Sequence, residues 1–424
     1  LGAVFAVNTI GGVCGAVAAA FLLIPILGFY KSSLLLPGIN LLAGGVILVA
    51  ALKGFRAVTA AVVLIFMAVM GGRAMPPDYY SLKYGELEPG HKLIYYHEGL
   101  AATATIFQRP EGTRALYLNG IPEVDTSLVS IRTFKLMGAL PGLLREKTGR
   151  TLIVTFGAGV TAGTAAHFAD RIDCVDLVEQ AGDIAPFFAL ANNNIAENKK
   201  FHMYVDDARH LLQTTNNKYS VIICDATHPR SYDSWILFTA EFYRLAQKRL
   251  EADGIFCQWV PFHGLDLDQY MAIIKTFSHV FPHTTIWTVG RSYSLLMAMP
   301  EPFSLDFRAF QKRLSHREVR RDLMQVGLDN PFEFLAHFAM GEKQVRKMTA
   351  AYPQVITDDS PAHLFFPSAA TLEEQYRKWP ETNFNKLISR RESVLPYLTN
   401  IGRTGRDKAG ITDMIRLYER KRRW

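Results

Sequence analysis

The stretch Thr151–Gly163, TLIVTFGAGVTAG, with IDCVDLVE at Ile172–Glu179 behind it, decides the fold. An apolar β-type run enters a glycine-bearing turn and a helix start, and a second apolar run then ends on a carboxylate. Gly157 and Gly159 let the backbone approach a ligand without a Cβ in the way. Gly159 and Glu179 stand 20 positions apart. At that spacing a βαβ unit sets an acid beside the ribose hydroxyls of a bound nucleoside. An ordinary structural βαβ turn is the competing reading.

Outward from this unit the chain alternates regularly. Strands are expected at Thr151–Phe156, Ile172–Val178, Lys200–Val205, Tyr219–Cys224 and Gly254–Val260, with helices at Thr161–Ala169, Asp183–Asn193, Ala208–Leu212 and Thr239–Glu251. Such alternation predicts an α/β fold with a parallel sheet covered on both faces. After a helix at Asp266–His279, the β runs Thr284–Val289 and Tyr293–Met299 are joined by Gly290-Arg291. A tight hairpin closing a parallel sheet suits a Rossmann-like S-adenosylmethionine-binding sheet better than a dehydrogenase sheet. Upstream, KLIYYHEG, ATATIFQRPEG and RALYLNG, with turns at Pro110–Gly112 and Asn119-Gly120, read as a small antiparallel meander. Ser127–Thr148 reads as a helix interrupted near Pro141.

The 424 residues exceed one typical domain. From Leu1 to Gly72 the only charges are Lys31, Lys53 and Arg56. Leu1–Tyr30, Ser32–Leu52 and Ala57–Gly72 are therefore expected as three membrane helices, a span needing about 20 apolar residues. A buried hairpin or a secretory signal fits these flanks poorly. A start at Leu1 inside such a run reads as the C-terminal part of a longer membrane protein, or as a processed or mispredicted start. The expected organisation is a transmembrane segment at 1–72, a linker at 73–91, a small β domain plus helix at 92–150, a catalytic domain at 151–300 and a helical extension at 301–424. The formal charge of +7 gathers late, at Arg390–Arg391 and in RLYERKRR at Arg416–Arg423. These are a solvated helix end or a contact with anionic lipid headgroups. No aromatic–basic interleaving supports nucleic acid. Cys14, Cys174, Cys224 and Cys257 lie far apart in apolar segments and read as reduced, with no metal spacing.

In open parallel sheets ligands bind beyond the carboxyl ends of the strands. Those ends carry Gly157–Gly159, Glu179, Asp206-Asp207 and Asp225, and four such features should converge on one crevice, although each acid alone could cap a helix. Glu179 can accept two hydrogen bonds from ribose hydroxyls, and Asp207, with Ala208 beside it, can take an adenine amino group. Asp225 sits in ICDATHPRSYDSW with His228 and Tyr232, a loop suited to binding an ammonium or taking its proton. His228 is a second base or a bracket for loop backbone.

The order GAGVTAG, DLVE, DDAR, IICDATHP and LFTAEFYRLAQKRLEADGIFCQW resembles the spermidine/spermine synthase family, and more narrowly its membrane-fused bacterial members. The likeness covers about Lys92–Pro300, with ITDDSPAHLFF at Ile356–Phe366 resembling a closing segment. It implies decarboxylated S-adenosylmethionine as donor, an aminopropyl group moved onto a small-molecule amine, Glu179 on the ribose, Asp207 on the adenine and Asp225 as base. No metal is implied. The sequence departs from the family at Ala158, where an acid grips the aminopropyl amine, and at His228, where a second Asp holds the polyamine. The first β strands have Ala102 or Thr103 in place of a glutamine, and Ser127–Lys135 lacks the acidic pair and tyrosine. The expectation is a transferase at the inner membrane facing the cytoplasm, in contact with lipid, with a homodimer left open. A methyltransferase using intact S-adenosylmethionine and a non-catalytic nucleoside sensor are the alternatives.

Overall fold

The computed structural model describes residues 2–51, 59, 62–63, 66, 90–145, 147, 149–226, 228–231, 234–361, 373–402 and 404–421. The chain divides into two compact units: Leu1–Asp125 with Val178–Gln180, and Thr126–Leu177 with Ala181–Trp424.

The first unit begins with helix Gly2–Ala18, a π turn at Ala19–Leu23 and helix Ile24–Ala51. Its break falls at Gly28 (φ +80°), a left-handed conformation glycine tolerates, rather than at Lys31. Gly2–Gly28, with mean hydropathy 2.4, is long and apolar enough to cross a membrane, and none of its most apolar window is buried. Lys31–Ile47 is apolar but shorter. Most of the third expected span, and residues 73–89 of the expected linker, lie outside the described residues.

The expected antiparallel meander is present, with four strands. They are β1 (Lys92–Glu98), β2 (Thr103–Gln108), β3 (Arg114–Leu118) and β4 (Ile121–Asp125), antiparallel and in chain order. Asn119 (φ +50°) and Gly120 (φ +78°) form the two-residue turn into β4. Both central residues need positive φ there, so Asn-Gly fits. Pro122 is tolerated because β4 is an edge strand.

The second unit opens with helix Leu128–Leu144, capped by Ser127. Pro141 lies inside its last turn and does not interrupt it. Seven further strands follow: β5 (Arg150–Val154), β6 (Arg171–Asp176), β7 (Phe201–Val205), β8 (Tyr219–Cys224), β9 (Leu250–Pro261), β10 (Thr284–Val289) and β11 (Tyr293–Ala298). Beyond them come β12 (Leu305–Asp306), β13 (Phe338–Met340) and β14 (Leu398–Thr399). The main sheet runs β13-β10-β11-β9-β8-β5-β6-β7, parallel from β9 to β7 and antiparallel at the other side. The expected alternation and closing hairpin are present. Two details differ. Asp183–Asn193 is not one helix, because Pro186 turns Ala181–Ile184 into a 3-10 turn at Ala185–Phe188. The C-terminal third is not only helical, since β13 extends the sheet beyond β10.

On β9 the fully buried Phe256 packs among Phe242, Tyr243 and Phe277 of the covering helices, also fully buried. Neighbouring rings lie at 5.2–5.9 Å in edge-on or tilted geometry. Burying each such side chain contributes about 1.5–3 kcal/mol. This core holds rigid the two strands whose ends carry the site. Thr239 caps helix Ala240–Arg249, which covers that face.

Candidate active site

β5 has β6 and β7 on one side and β8 and β9 on the other. The topological switch point therefore falls between β5 and β8, where open α/β sheets form their crevice. The strands end level: Val154 pairs with both Val175 and Cys224, and Asp176 with Val205. Pairing continues one residue further, with Thr155 N donating to Val175 O (2.8 Å), Asp225 N to Val154 O (3.0 Å) and Asp206 N to Asp176 O (3.0 Å). Residues 155, 176, 205 and 225 thus form one row across the carboxyl edge, with Asp206 one residue beyond it.

The glycine turn rises from this row. Gly157 (φ +55°) and Gly159 (φ +78°) adopt left-handed backbone. A Cβ on Gly157 would meet nothing within 4 Å, so the space above it is open. A Cβ on Gly159 would stand 2.6 Å from the Phe156 ring, and one on Gly163 would overlap the Asn192 carbonyl. Gly157 faces the cradle, whereas Gly163 admits neighbouring backbone. Thr155 also has positive φ (+70°), rare for a β-branched residue. Its hydroxyl donates to the Asp225 carbonyl, which ties the strained turn to the end of β8.

Asp225 is the centre of the arrangement. Thr161 Oγ1, in the first turn of helix Val160–Ala165, donates to Asp225 Oδ2 at 2.7 Å. Burial pushes the Asp225 carboxyl up to about 8, the Thr161 bond works against the rise, and the nearby Asp176 charge adds to it. Asp176 Oδ2 accepts from Phe156 N at 2.6 Å, fixing the entry to the glycine turn.

Asp207 caps helix Ala208–Thr214, its Oδ1 accepting from Arg209 N (2.7 Å) and His210 N (3.1 Å). Ala208 is buried behind it. Arg209 makes a two-pronged pair with Asp358 at 2.8 and 2.5 Å, bringing the Ile356–Asp358 part of the expected closing segment onto this helix. The His228 ring brackets loop backbone: Nε2 donates to His263 O (2.9 Å) and Nδ1 accepts from Arg230 N (3.1 Å). Burial lowers His228 to about 4, so the ring is neutral. Gly264 (φ +69°) admits it, because a Cβ there would strike the imidazole. Glu179 belongs to the first unit, with Oε1 accepting from Gln180 Nε2 at 2.7 Å. Tyr232 lies outside the described residues.

The structure brings together Gly157, Gly159 and Asp225, with Asp207 two residues beyond the end of the neighbouring β7. Three contributors were not among the expected residues. Asp176 was missed because β6 was expected to run on to Val178. Thr161 was counted only as a helix start, though a hydroxyl two residues after the glycine turn is the signal. Gln258, fully buried on β9 opposite Cys224, has an Oε1 without a hydrogen-bond partner among the described residues. Its signal was a polar side chain inside the apolar run GIFCQWV.

Residues 135–299 match the family described as the Spermine/spermidine synthase domain. The polyamine aminopropyltransferase of Lachnospira eligens is 28% identical over 190 residues, 43% of this chain and 65% of that protein. The same-named protein of Oceanobacillus iheyensis is 24% identical over 340 residues, covering 76% and 62%. In both, the matched part is just under two thirds of the relative's length. A spermidine synthase crystal structure in complex with the transition state analogue AdoDATO shares the fold, with TM-score 0.51 and 19% identity over 61% of this chain and 89% of that one.

Proposed function

We propose, from a domain at residues 135–299 that belongs to the spermine/spermidine synthase family, that this chain moves an aminopropyl group from decarboxylated S-adenosylmethionine to a small-molecule amine. The observation that carries the reading is a buried carboxyl, Asp225, raised to about 8 at the switch point of the sheet, beside an open glycine turn. A carboxyl so placed gives up its proton when a cation binds beside it, leaving a carboxylate that can hold an ammonium and serve as its base.

The residues present fit such a donor. The open space at Gly157 is a cradle that a side chain would fill. Asp207 keeps Oδ2 free of the hydrogen bonds that commit its Oδ1, so it would face the adenine. Glu179 would take the ribose, three residues beyond the end of β6. The donor supplies a sulfonium, whose positive charge makes the neighbouring carbon electrophilic without a metal. Asp225 holds the acceptor ammonium and takes its proton at the carboxylate. Thr161 fixes the orientation of that carboxylate. The neutral His228 holds the acceptor loop in place and positions rather than reacts. Binding a cation beside Asp225 brings its pKa back down, so the empty site stores a proton and the filled site releases it.

The turn Gly157–Gly163 contains no acid, and this favours methyl transfer from intact S-adenosylmethionine as the second reading. Helix Gly2–Gly28 would anchor the chain in the inner membrane, with the catalytic unit on the cytoplasmic side and lipid contacts through that helix. The test incubates full-length protein in neutral detergent with each donor and a panel of amines, followed by mass spectrometry. An aminopropylated amine supports the first reading and a methylated one the second. Failure of both donors to give product or to protect against thermal unfolding refutes both.

A further inference from the structure

Three separate stretches of the second unit bring four arginines and two glutamates to one cavity of about 550 Å³. Arg291 comes from the β10–β11 turn, Arg391 and Glu392 follow helix Glu373–Ile388, and Arg416, Glu419 and Arg420 lie on helix Gly405–Lys421. The β10–β11 turn stands at the same sheet edge as the candidate active site, beyond the end of β9, but none of the site's residues lines this cavity.

The two acids are already committed. Glu392 Oε1 accepts from Gly341 N (2.6 Å) and Tyr397 OH (2.8 Å). The Glu419 carboxylate accepts from Ser393 Oγ (2.9 and 3.0 Å) and Val394 N (3.0 Å). Arg391 donates to three main-chain carbonyls, of Phe338 (3.3 Å), Glu419 (3.1 Å) and Ala336 (2.9 Å). Carbonyls orient a guanidinium without cancelling its charge. Burial lowers the pKa of Arg391 and the Glu419 charge opposes this. Arg291 approaches Glu381 only at 3.7 Å, with both side chains more than half exposed. Arg416 and Arg420 are exposed and make no ion pair among the described residues. Four cations against two acids leave the cavity with an excess of two positive charges.

We propose that this cavity is an anion-binding site for a phosphate-bearing ligand. Guanidinium forks match phosphate oxygens two at a time. A volume of about 550 Å³ is within the range of roughly 300–1,000 Å³ usual for small-molecule sites. The unmatched charge calls for a ligand with at least one full negative charge. An anionic phospholipid headgroup and a free phosphate share this chemistry. Arg391 of one basic run and Arg416 and Arg420 of the other are thereby parts of one site.

Calorimetric titration of the full-length chain in neutral detergent at constant ionic strength tests this with three probes: inorganic pyrophosphate, dioctanoyl phosphatidylglycerol and dioctanoyl phosphatidylcholine. Saturable binding of pyrophosphate or of the anionic lipid, with none of phosphatidylcholine, is expected. In R416E/R420E, binding should weaken by at least about tenfold. Pyrophosphate binding assigns the site to free phosphates, and binding of the lipid alone assigns it to headgroups. Both side chains are exposed, so the variant should keep its circular dichroism and ligand-free melting temperature; R416Q/R420Q replaces it if it does not. Absence of saturation with both anions, or equal affinity in wild type and variant, overturns the proposal.

Discussion

Asp225→Asn separates what the carboxyl does for the site from what it costs the fold. The substitution keeps size and shape, and its Oδ1 can still accept from Thr161. It removes only the titration. The folded-state value is raised from 3.8 to about 8, so the native chain holds a proton that the unfolded chain gives up between those values. Stability attributable to this group is therefore full below about pH 4 and is lost as pH rises through about 8. Four units at 1.36 kcal/mol each set a ceiling near 5–6 kcal/mol. Residue 225 is partly open to solvent, and screening reduces this to about 2 kcal/mol. The Asn variant should lie nearest to wild type at pH 5, where about a quarter of the loss has occurred, and exceed it by about 2 kcal/mol at pH 9, a few degrees in melting temperature. Thermal unfolding of both proteins in neutral detergent at pH 5 to 9 reads this directly. The same variant should lose transfer activity by at least about a hundredfold. A stability gain that does not change with pH, or a variant less stable than wild type at pH 9, would refute the placement of a desolvated acid at the end of β8.

Donor binding at pH 7 should release close to one proton, since a group at about 8 is about nine-tenths protonated there; calorimetry in buffers of different ionisation enthalpy measures it. Gly157→Ala should cost about 1–2 kcal/mol through its positive φ and weaken donor binding. Gly163→Ala should instead destabilise by about 3 kcal/mol or more through overlap with the Asn192 carbonyl, and urea unfolding with donor titration distinguishes the two. Lys135, fully buried against Asp322, ties helix Leu128–Leu144 to helix Arg317–Met324. Burial works to raise Asp322, but the His167 hydrogen bond and the Lys135 charge hold it at about 2. Lys135→Met should therefore cost about 3–5 kcal/mol, with Asp322→Leu added to it restoring much of the loss.

The βαβ unit, the strand alternation and the closing hairpin could be read in advance because strands buried on both faces appear as unbroken apolar runs. TLIV and VIIC needed no help from tertiary contacts to be found. Pro186 was legible as a breaker and was overlooked within an apolar, helix-like stretch. Strand β13 was not legible, because three residues carry too little period and pair only through β10. At the site, Asp225 and the glycines could be named from position alone. The roles of Thr161 and Asp176 depend on levels between strands that no single segment reveals. Asp207 shows the opposite case, a residue chosen for ligand contact that also serves its own helix as a cap.

The pairing of β13 with β10 bears on how the second unit can be isolated. The matched family domain ends at residue 299, yet Phe338 lies edge-on to Trp287 with ring centroids 5.3 Å apart, and Met340 pairs with Ile286. A fragment trimmed to 135–299 would expose a bare sheet margin and a large indole to solvent, an invitation to self-association. It would also begin inside helix Leu128–Leu144, at the lysine whose aspartate partner had been removed. For expression work the useful cut sites are set by where the sheet is completed, at β13, rather than by where the matched domain stops.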